Sequence, residues 1–354
     1  MKLDEIRSKI DKIDRELLVL LQERMGLALR SKKFKTNIND PAREKDLLAR
    51  AQTLHLDLLD PSFTRQLLET IIQESKRLQE EERKLVAFQG EHGAYGEVAS
   101  RQLVPAGAYI PCLEFVDVFR GVEEGSLDLG VVPVENSLEG AVTQVNDLLT
   151  TTNLSVIGEI KVPVNHCLLA TRGTDYREIR MVYSHPQALA QCRGFLLRNH
   201  LEPHPFYDTA GAAKMLAREH PKAAAAIASD LCAELYDLDV IKAGIEDGAS
   251  NSTRFLLLSR EPYTGQGDKT SIIFAVPHEA GKLYDVLRLF AEAQINLTRI
   301  ASMPLRTDPS NYSFFLDFEG AHQDDNIAPV LDQMEKLAID MKCLGSYPAD
   351  SAGV

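Results

Sequence analysis

Within the first 84 residues, Arg7, Arg24, Lys35, Asp40, Arg43, Glu44, Ser75 and Gln79 are the side chains whose types and spacing could act on a small anion. Cations and hydrogen-bond donors turned to one interior can orient a carboxylate-bearing molecule and stabilise charge developing on an oxygen, with no nucleophile or metal. Residues 1–84 hold 18 Lys and Arg against 16 Asp and Glu, and the remainder holds 21 against 36, in a chain of net charge -13. The cations are concentrated near the N-terminus. A segment so close to neutral does not suit nucleic acid, which calls for a strongly basic face.

The elements that must position these groups are helices. Leu3, Ile6, Ile10, Ile13, Leu17, Leu20 and Leu21 recur at three- and four-residue steps, which predicts one long amphipathic helix. Asp40-Pro41 and Asp60-Pro61 each join an N-cap residue to a proline at the first helical position, so two more helices start there. On a helix that includes both, Arg24 and Lys35 share a face, about 16 Å apart along the axis. Arg7 is about 25 Å from Arg24 and about 100° round the helix, so it serves a different copy of the site. In the third helix, Leu68, Ile72, Ser75 and Gln79 form one stripe that passes from apolar to polar. Taken singly, each polar residue has an ordinary structural explanation: a solvated face, a cap, a fraying stripe.

Taken together, in the contexts EIRSKID, LLQERMGLA, PAREKDLL and IIQESKRLQ, they resemble the all-helical chorismate mutase family over residues 1–84. The resemblance implies that Arg24 and Arg7 of the partner subunit hold carboxylates of chorismate. It further implies that Lys35 and Gln79 donate to the breaking ether oxygen, that Glu44 with Asp40 orients the ring hydroxyl, and that Arg43 and Ser75 complete the lining. Arg30, Lys32, Lys33 and Lys45 are left as surface charges.

From Leu85 to Pro262 the texture changes. Short apolar runs (LVAFQ, LDLGVVPV, IRMVYS, AAAAIAS, RFLLLS) alternate with helical patterns, which predicts a largely parallel α/β arrangement. GEHGAYGEVAS places Gly90, Gly93 and Gly96 between a strand and a helix, where free amides could meet an anion. VPVENSLEG sets Glu135, Asn136 and Ser137 directly after a buried strand, where binding residues of open α/β sheets sit. YSHPQALAQC offers Ser184, His185 and Gln191, and NSTRFLLL offers Thr253 and Arg254. The Glu-Asn-Ser loop, Ser-His-Pro-Gln turn and Thr-Arg-Phe strand together resemble the prephenate dehydratase family, whose two lobes close over a cleft. That resemblance implies that Thr253 contacts the leaving ring hydroxyl. Glu135, Asn136, Ser137, Ser184 and Gln191 would line the cleft, and Arg254 would meet a carboxylate.

After the turn-rich TGQGDK, residues 268–350 read as βαββαβ, the ferredoxin-like order. This part resembles an ACT domain, which implies dimerisation and binding of phenylalanine through Gly281, Leu283 and Ser302. Phenylalanine-regulated members carry Gly-Ala-Leu and Glu-Ser-Arg-Pro, whereas this chain has Gly281-Lys282-Leu283 and Ala301-Ser302-Met303-Pro304. Weakened phenylalanine affinity is the expectation.

The expected organisation is thus an all-α mutase domain over 1–84, a two-lobed α/β dehydratase domain over 85–262 and a ferredoxin-like module over 268–350. The order is similar to that of the bifunctional chorismate mutase and prephenate dehydratase family. Such an enzyme needs no metal or organic cofactor and assembles as a homodimer or dimer of dimers, with no nucleic-acid or membrane partner. No run approaches the ~18 residues of a membrane span, and the charged N-terminus lacks an apolar export core, so a cytoplasmic enzyme is expected. The five cysteines are too scattered for CxxC pairs and are expected to be reduced. A solute receptor with a sensing tail fits the N-terminal helices poorly. An enzyme acting on arogenate, the transaminated relative of prephenate, remains the near alternative.

Overall fold

A computed structural model describes residues 3–54, 56–248, 251–304 and 312–350. The chain divides into two compact units, Met1–Leu85 with Gly125–Leu127, and Val86–Glu124 with Asp128–Val354. The first is built on three helices, α1 (Leu3–Lys32), α2 (Pro41–Gln52) and α3 (Pro61–Glu80). Both Asp-Pro starts form as expected, with the Asp40 carboxylate accepting from Arg43 N and that of Asp60 from Ser62 N. However, α1 stops at Lys32, and its last carbonyls close turns with Lys33, Phe34 and Lys35. Lys35 is therefore in a turn rather than on the helix, so its expected face-sharing with Arg24 does not hold.

The second unit opens with the strands and helices of one lobe: β1 (Leu85–Gln89), α4 (Tyr95–Leu103), β2 (Ala108–Cys112), α5 (Phe115–Glu123), β3 (Leu129–Asn136), β4 (Gly140–Ala141), α6 (Thr143–Thr151) and β5 (Ser155–Pro163). The chain crosses to a second lobe of β6 (Cys167–Thr171), β7 (Met181–Ser184), α7 (Pro186–Gln191), α8 (Arg193–Arg198), β8 (Glu202–Pro205), α9 (Thr209–Glu219), β9 (Ala224–Ala228), α10 (Asp230–Tyr236) and β10 (Leu238–Ala243). It then returns through β11 (Ser252–Ser259), which inserts between β3 and β5. The first sheet runs β2-β1-β3-β11-β5 with β4 on β3, and the second β10-β6-β9-β7-β8. Neither is largely parallel. The β1–β3, β7–β8 and β7–β9 pairs are parallel, but the returning β11 runs antiparallel to both neighbours, and β6 antiparallel to β9 and β10. Strands that cross between lobes must reverse, and hydrophobicity patterns carry no sign of direction.

The last elements are β12 (Lys269–Val276), α11 (Lys282–Glu292), β13 (Leu297–Pro304), β14 (Tyr312–Glu319), α12 (Ala328–Leu337) and β15 (Asp340–Tyr347). The four strands form an antiparallel sheet in the order β13-β14-β12-β15, and both helices bury their apolar side in one core around Phe274, Phe290, Phe318 and Met334. This sheet packs on the first lobe. Gly345, at φ 140°, permits the approach, since a Cβ there would lie 2.5 Å from the carbonyl oxygen of Val156.

Candidate functional site

In the helical unit, α1 and α3 bring three expected residues together. Arg24 Nη1 donates to Ser75 Oγ at 2.5 Å, and Ser75 in turn donates to the Ile71 carbonyl at 2.8 Å. Gln79, 4% exposed, donates through Nε2 to the Ala28 carbonyl and, at 3.1 Å, to Ser31 Oγ. Burial draws the Arg24 pKa down. The polar end of the α3 stripe is thus turned inward against α1. The remaining groups stand apart from these three. Glu44 pairs with Lys76 at 2.7 Å, exposed Arg43 lies 3.6 Å from Asp46, Asp40 serves as a cap, and Lys35 and Arg7 are exposed. Along α1, Ile10, Ile13, Leu17 and Leu20 are between 51% and 61% exposed.

In the α/β unit a cleft of about 380 Å³ opens between the lobes. Its lining includes Asn136 at the end of β3, Thr253 at the start of β11, and Gln191 at the end of α7, each as expected. Residues that had not been singled out join them. Asn136 Nδ2 donates to Thr253 Oγ1 at 3.0 Å and to Asn251 Oδ1 at 2.8 Å, and Asn251 Nδ2 donates to Gln191 Oε1 at 3.2 Å. His166 Nε2 lies 2.8 Å from the same Gln191 oxygen, and Tyr95 Oη lies 3.2 Å from His166 Nδ1. Because that oxygen accepts from Asn251, Nε2 carries the imidazole proton. One hydrogen-bonded chain therefore crosses from the first lobe to the second. Burial lowers the His166 pKa, with Gln191 and Glu246 pulling the other way, so the ring is neutral at pH 7.

Three helix starts border the cleft, at Tyr95 and Gly96 of α4, Gln187 of α7 and Thr209 of α9. Gly96 is the one of the three loop glycines that lines it. The amides of Gly90 and Gly93 are already donated, to the Cys112 carbonyl and the Glu97 carboxylate. His185 caps α7, its Nδ1 accepting from Gln187 N at 3.3 Å, and Asp208 caps α9 by accepting from Gly211 N at 2.7 Å. Burial raises the Asp208 pKa.

Four expected lining residues sit elsewhere. Ser184 is fully buried and donates to the Ile227 carbonyl at 2.6 Å, so its hydroxyl is spent on β9. Ser137 ties its loop to β11: its amide donates to the Ser252 carbonyl and its Oγ accepts from Ser252 N. Glu135 alternates away from Asn136 and pairs with Arg299 at 2.6 Å. Arg254, expected to meet a substrate carboxylate, points from the opposite face of β11 to Thr253. It is 3% exposed and ion-paired to Glu159 at 2.6 Å and Asp317 at 2.5 Å. Burial opposes its charge, but Asp317, Tyr347 and Glu159 raise its pKa on balance.

In the C-terminal module, Gly281 adopts φ 91° at the start of α11 with open space where a Cβ would be, and Ser302 is exposed on β13. Leu283 packs partly against the module's core. Among the described residues no cluster of His, Cys, Asp or Glu could hold a metal, and no helix is long and apolar enough to cross a membrane.

A two-lobed α/β unit with an amide-rich cleft at the strand ends, lined by one carboxylate and by hydrogen-bonding side chains, is the form of an enzyme that holds a small acid by hydrogen bonds. The chain belongs to the prephenate dehydratase family: the prephenate dehydratase model matches residues 86–263, and the chorismate mutase type II model matches residues 6–80. It is similar over 98% of its length, and 98% of the relative's, to the bifunctional chorismate mutase/prephenate dehydratase of Aquifex aeolicus, at 34% identity. It is 42% identical over 278 residues to an arogenate dehydratase/prephenate dehydratase of Arabidopsis thaliana, covering 75% of this chain and 73% of that one. Among solved structures, the prephenate dehydratase of Arthrobacter aurescens in complex with L-Phe matches with a TM-score of 0.68 and 31% identity, covering 76% of this chain and 92% of that one.

Proposed function

We propose that the helical unit rearranges chorismate to prephenate and that the α/β unit removes carbon dioxide and the ring hydroxyl from prephenate to leave phenylpyruvate. The observation that carries the second half is the Asn136 amide on Thr253 Oγ1. An oxygen that accepts there keeps its own hydrogen to donate, and the leaving ring hydroxyl is an acceptor that needs one. Threonine is a weak acid, so the contribution is a strengthened hydrogen bond in a water-poor cleft rather than proton release. Among the described residues, none that lines the cleft is Lys or Arg. That suits the chemistry, because a cation would hold the carboxylate that has to leave.

For the first half, Arg24, Ser75 and Gln79 are already assembled, while Arg7, Lys35, Asp40, Arg43 and Glu44 are expected to join them in the presence of a second copy. The half-exposed Ile10, Ile13, Leu17 and Leu20 support a homodimer, since burying the rest of each would contribute about 1–2 kcal/mol. The relative from Aquifex carries both activities in its name, in the same order. We assign the mutase to residues 1–84, the dehydratase to 85–262 and a ferredoxin-like ACT module to 268–350, with phenylalanine bound near Gly281, Leu283 and Ser302. In support, a solved relative was determined with L-Phe. Four buried free cysteines suit a reducing, cytoplasmic setting.

A second reading, a dehydratase acting on arogenate, is favoured by the name of the Arabidopsis relative and by the Asp208 carboxylate in the cleft, which could meet an ammonium. Assaying the purified chain with chorismate, prephenate and arogenate decides between them. Phenylpyruvate from the first two is the expected result, and phenylalanine from arogenate at a higher kcat/KM would select the second reading.

A further inference from the structure

The side chains next to two cleft residues, Asn136 and Thr253, are both held by the C-terminal sheet. Glu135 precedes Asn136, and its carboxylate meets Arg299 Nε of β13 at 2.6 Å. Arg254 follows Thr253, and its guanidinium meets Asp317 of β14 at 2.5 Å. Alternation along a strand puts neighbours on opposite faces, so cleft residues and clamped residues necessarily interleave.

The clamps are built in a buried setting. Asp317 is fully buried and also accepts from Ser271 Oγ of β12 at 2.5 Å. Glu159 of β5 accepts from Arg254 Nε and Lys269 Nζ, both at 2.6 Å, and Arg254 Nη2 donates to Tyr347 Oη at 3.3 Å. The Arg299 side chain is 6% exposed and lies over the Phe315 ring at 4.4 Å, with Nη2 donating to the Val134 carbonyl at 3.4 Å, while Nη1 and Nε are buried without a hydrogen-bond partner, Nε meeting Glu135 through its charge alone. A buried cation with an unfilled donor is held by few contacts, so its hold on Glu135 is the more easily changed of the two.

We infer that Arg299 and Asp317 are positioning residues for the dehydratase cleft, Arg299 through Glu135 and its neighbour Asn136, Asp317 through Arg254 and its neighbour Thr253. The cleft is then shaped by a sheet that contributes none of the described residues of its lining. Because Arg299 and Ser302 share β13, a change in that strand reaches the Asn136 amide through a single ion pair. The inference rests on the dehydratase assignment above but not on phenylalanine binding.

The test uses the full chain and measures prephenate and chorismate kinetics on the same preparation, the mutase rate reporting how much chain is present and folded. Arg299→Met should raise KM for prephenate by about three- to tenfold, which loss of folded protein cannot do, while Arg299→Lys should stay within about twofold of the parent. Glu135→Gln, whose effect on folding the mutase rate reports, should reproduce the KM rise, and the double variant with Arg299→Met should be no worse than either single change. Asp317→Asn should raise KM as well. An unchanged KM in both Glu135→Gln and Asp317→Asn overturns the inference. Additive effects of Arg299→Met and Glu135→Gln overturn the route through Glu135. If the parent turns over no prephenate at all, it is the dehydratase assignment that has failed.

Discussion

In the helical unit the polar residues divide into two groups, Arg24, Ser75 and Gln79 joined across α1 and α3, and Arg7, Lys35, Asp40, Arg43 and Glu44 spread along surfaces, beside an apolar stripe left open to solvent. In the α/β unit, residues as far apart in sequence as Asn136, His166, Gln191, Asn251 and Thr253 meet in one hydrogen-bonded chain with no help from another copy. Helices place residues by short-range periodicity, so a site on a three-helix unit is only as complete as the surfaces that pack on it. A sheet entered, left and re-entered by the chain closes its own site. On the reading proposed above, the mutase is the activity expected to depend on assembly and the dehydratase the one expected to depend on internal clamps.

The largest expected effect separates the two. Thr253→Ala should lower prephenate turnover by about two orders of magnitude or more, the scale for losing a donor at a developing charge, with the chorismate rate near that of the parent. Near-parental dehydratase activity in that variant would remove Thr253 from the chemistry. On the mutase side, Arg7→Ala and Arg24→Ala should each abolish activity, and mixing the two should restore about a quarter of the parental rate, since one site in each heterodimer is complete. No recovery in verified heterodimers would make each helical unit self-sufficient and erase the contrast.

Smaller effects sharpen it. In the C-terminal module, a charge-assisted contact is worth about 1.5–3 kcal/mol, so the double substitution Ala301→Glu, Met303→Arg should tighten phenylalanine binding about tenfold or more by calorimetry. Tight binding by the parent with no gain in the variant would show that the altered motif is irrelevant. The smallest effect concerns pH. Burial holds the His166 pKa below the ordinary 6.5, so the unfolded chain takes up a proton that the folded one refuses. The corresponding stability is complete above 6.5 and is lost as pH falls through the folded value, at no more than about 1.4 kcal/mol per pH unit. All ten tyrosines lie at Tyr95 or beyond and there is no tryptophan, so tyrosine fluorescence during urea unfolding reports the α/β lobes and the C-terminal module and not the helical unit. The acid-side fall in midpoint should flatten in His166→Gln, and an identical pH profile in both proteins would show that His166 does not titrate there.

Much of this was open to reading in one dimension. Asp40-Pro41 and Asp60-Pro61 declare two helix starts because an N-cap and a proline act within a single turn, and the βαββαβ order of the last module follows from periodicity alone. One stop misled. The apolar steps say nothing of where α1 ends, and Lys35 falls beyond it. The Asn136, Gln191 and Thr253 motifs pointed to the cleft, whereas His166, between two apolar runs with no motif around it, gave no local signal.

What the chain's order determined, then, is the set of elements and the chemistry available to each, because capping, periodicity and turn geometry act over a few residues. Which residues share a site was decided by the tertiary structure. Thr253 and Arg254 are adjacent and equally polar, and strand alternation sends them to opposite faces. Only the packing of β12 and β14 against the first lobe makes one of those faces a cleft and the other a buried ion network. Ser184 lost its expected role in the same way: the neighbouring β9 offered a carbonyl at 2.6 Å, and a buried hydroxyl takes the partner it is given.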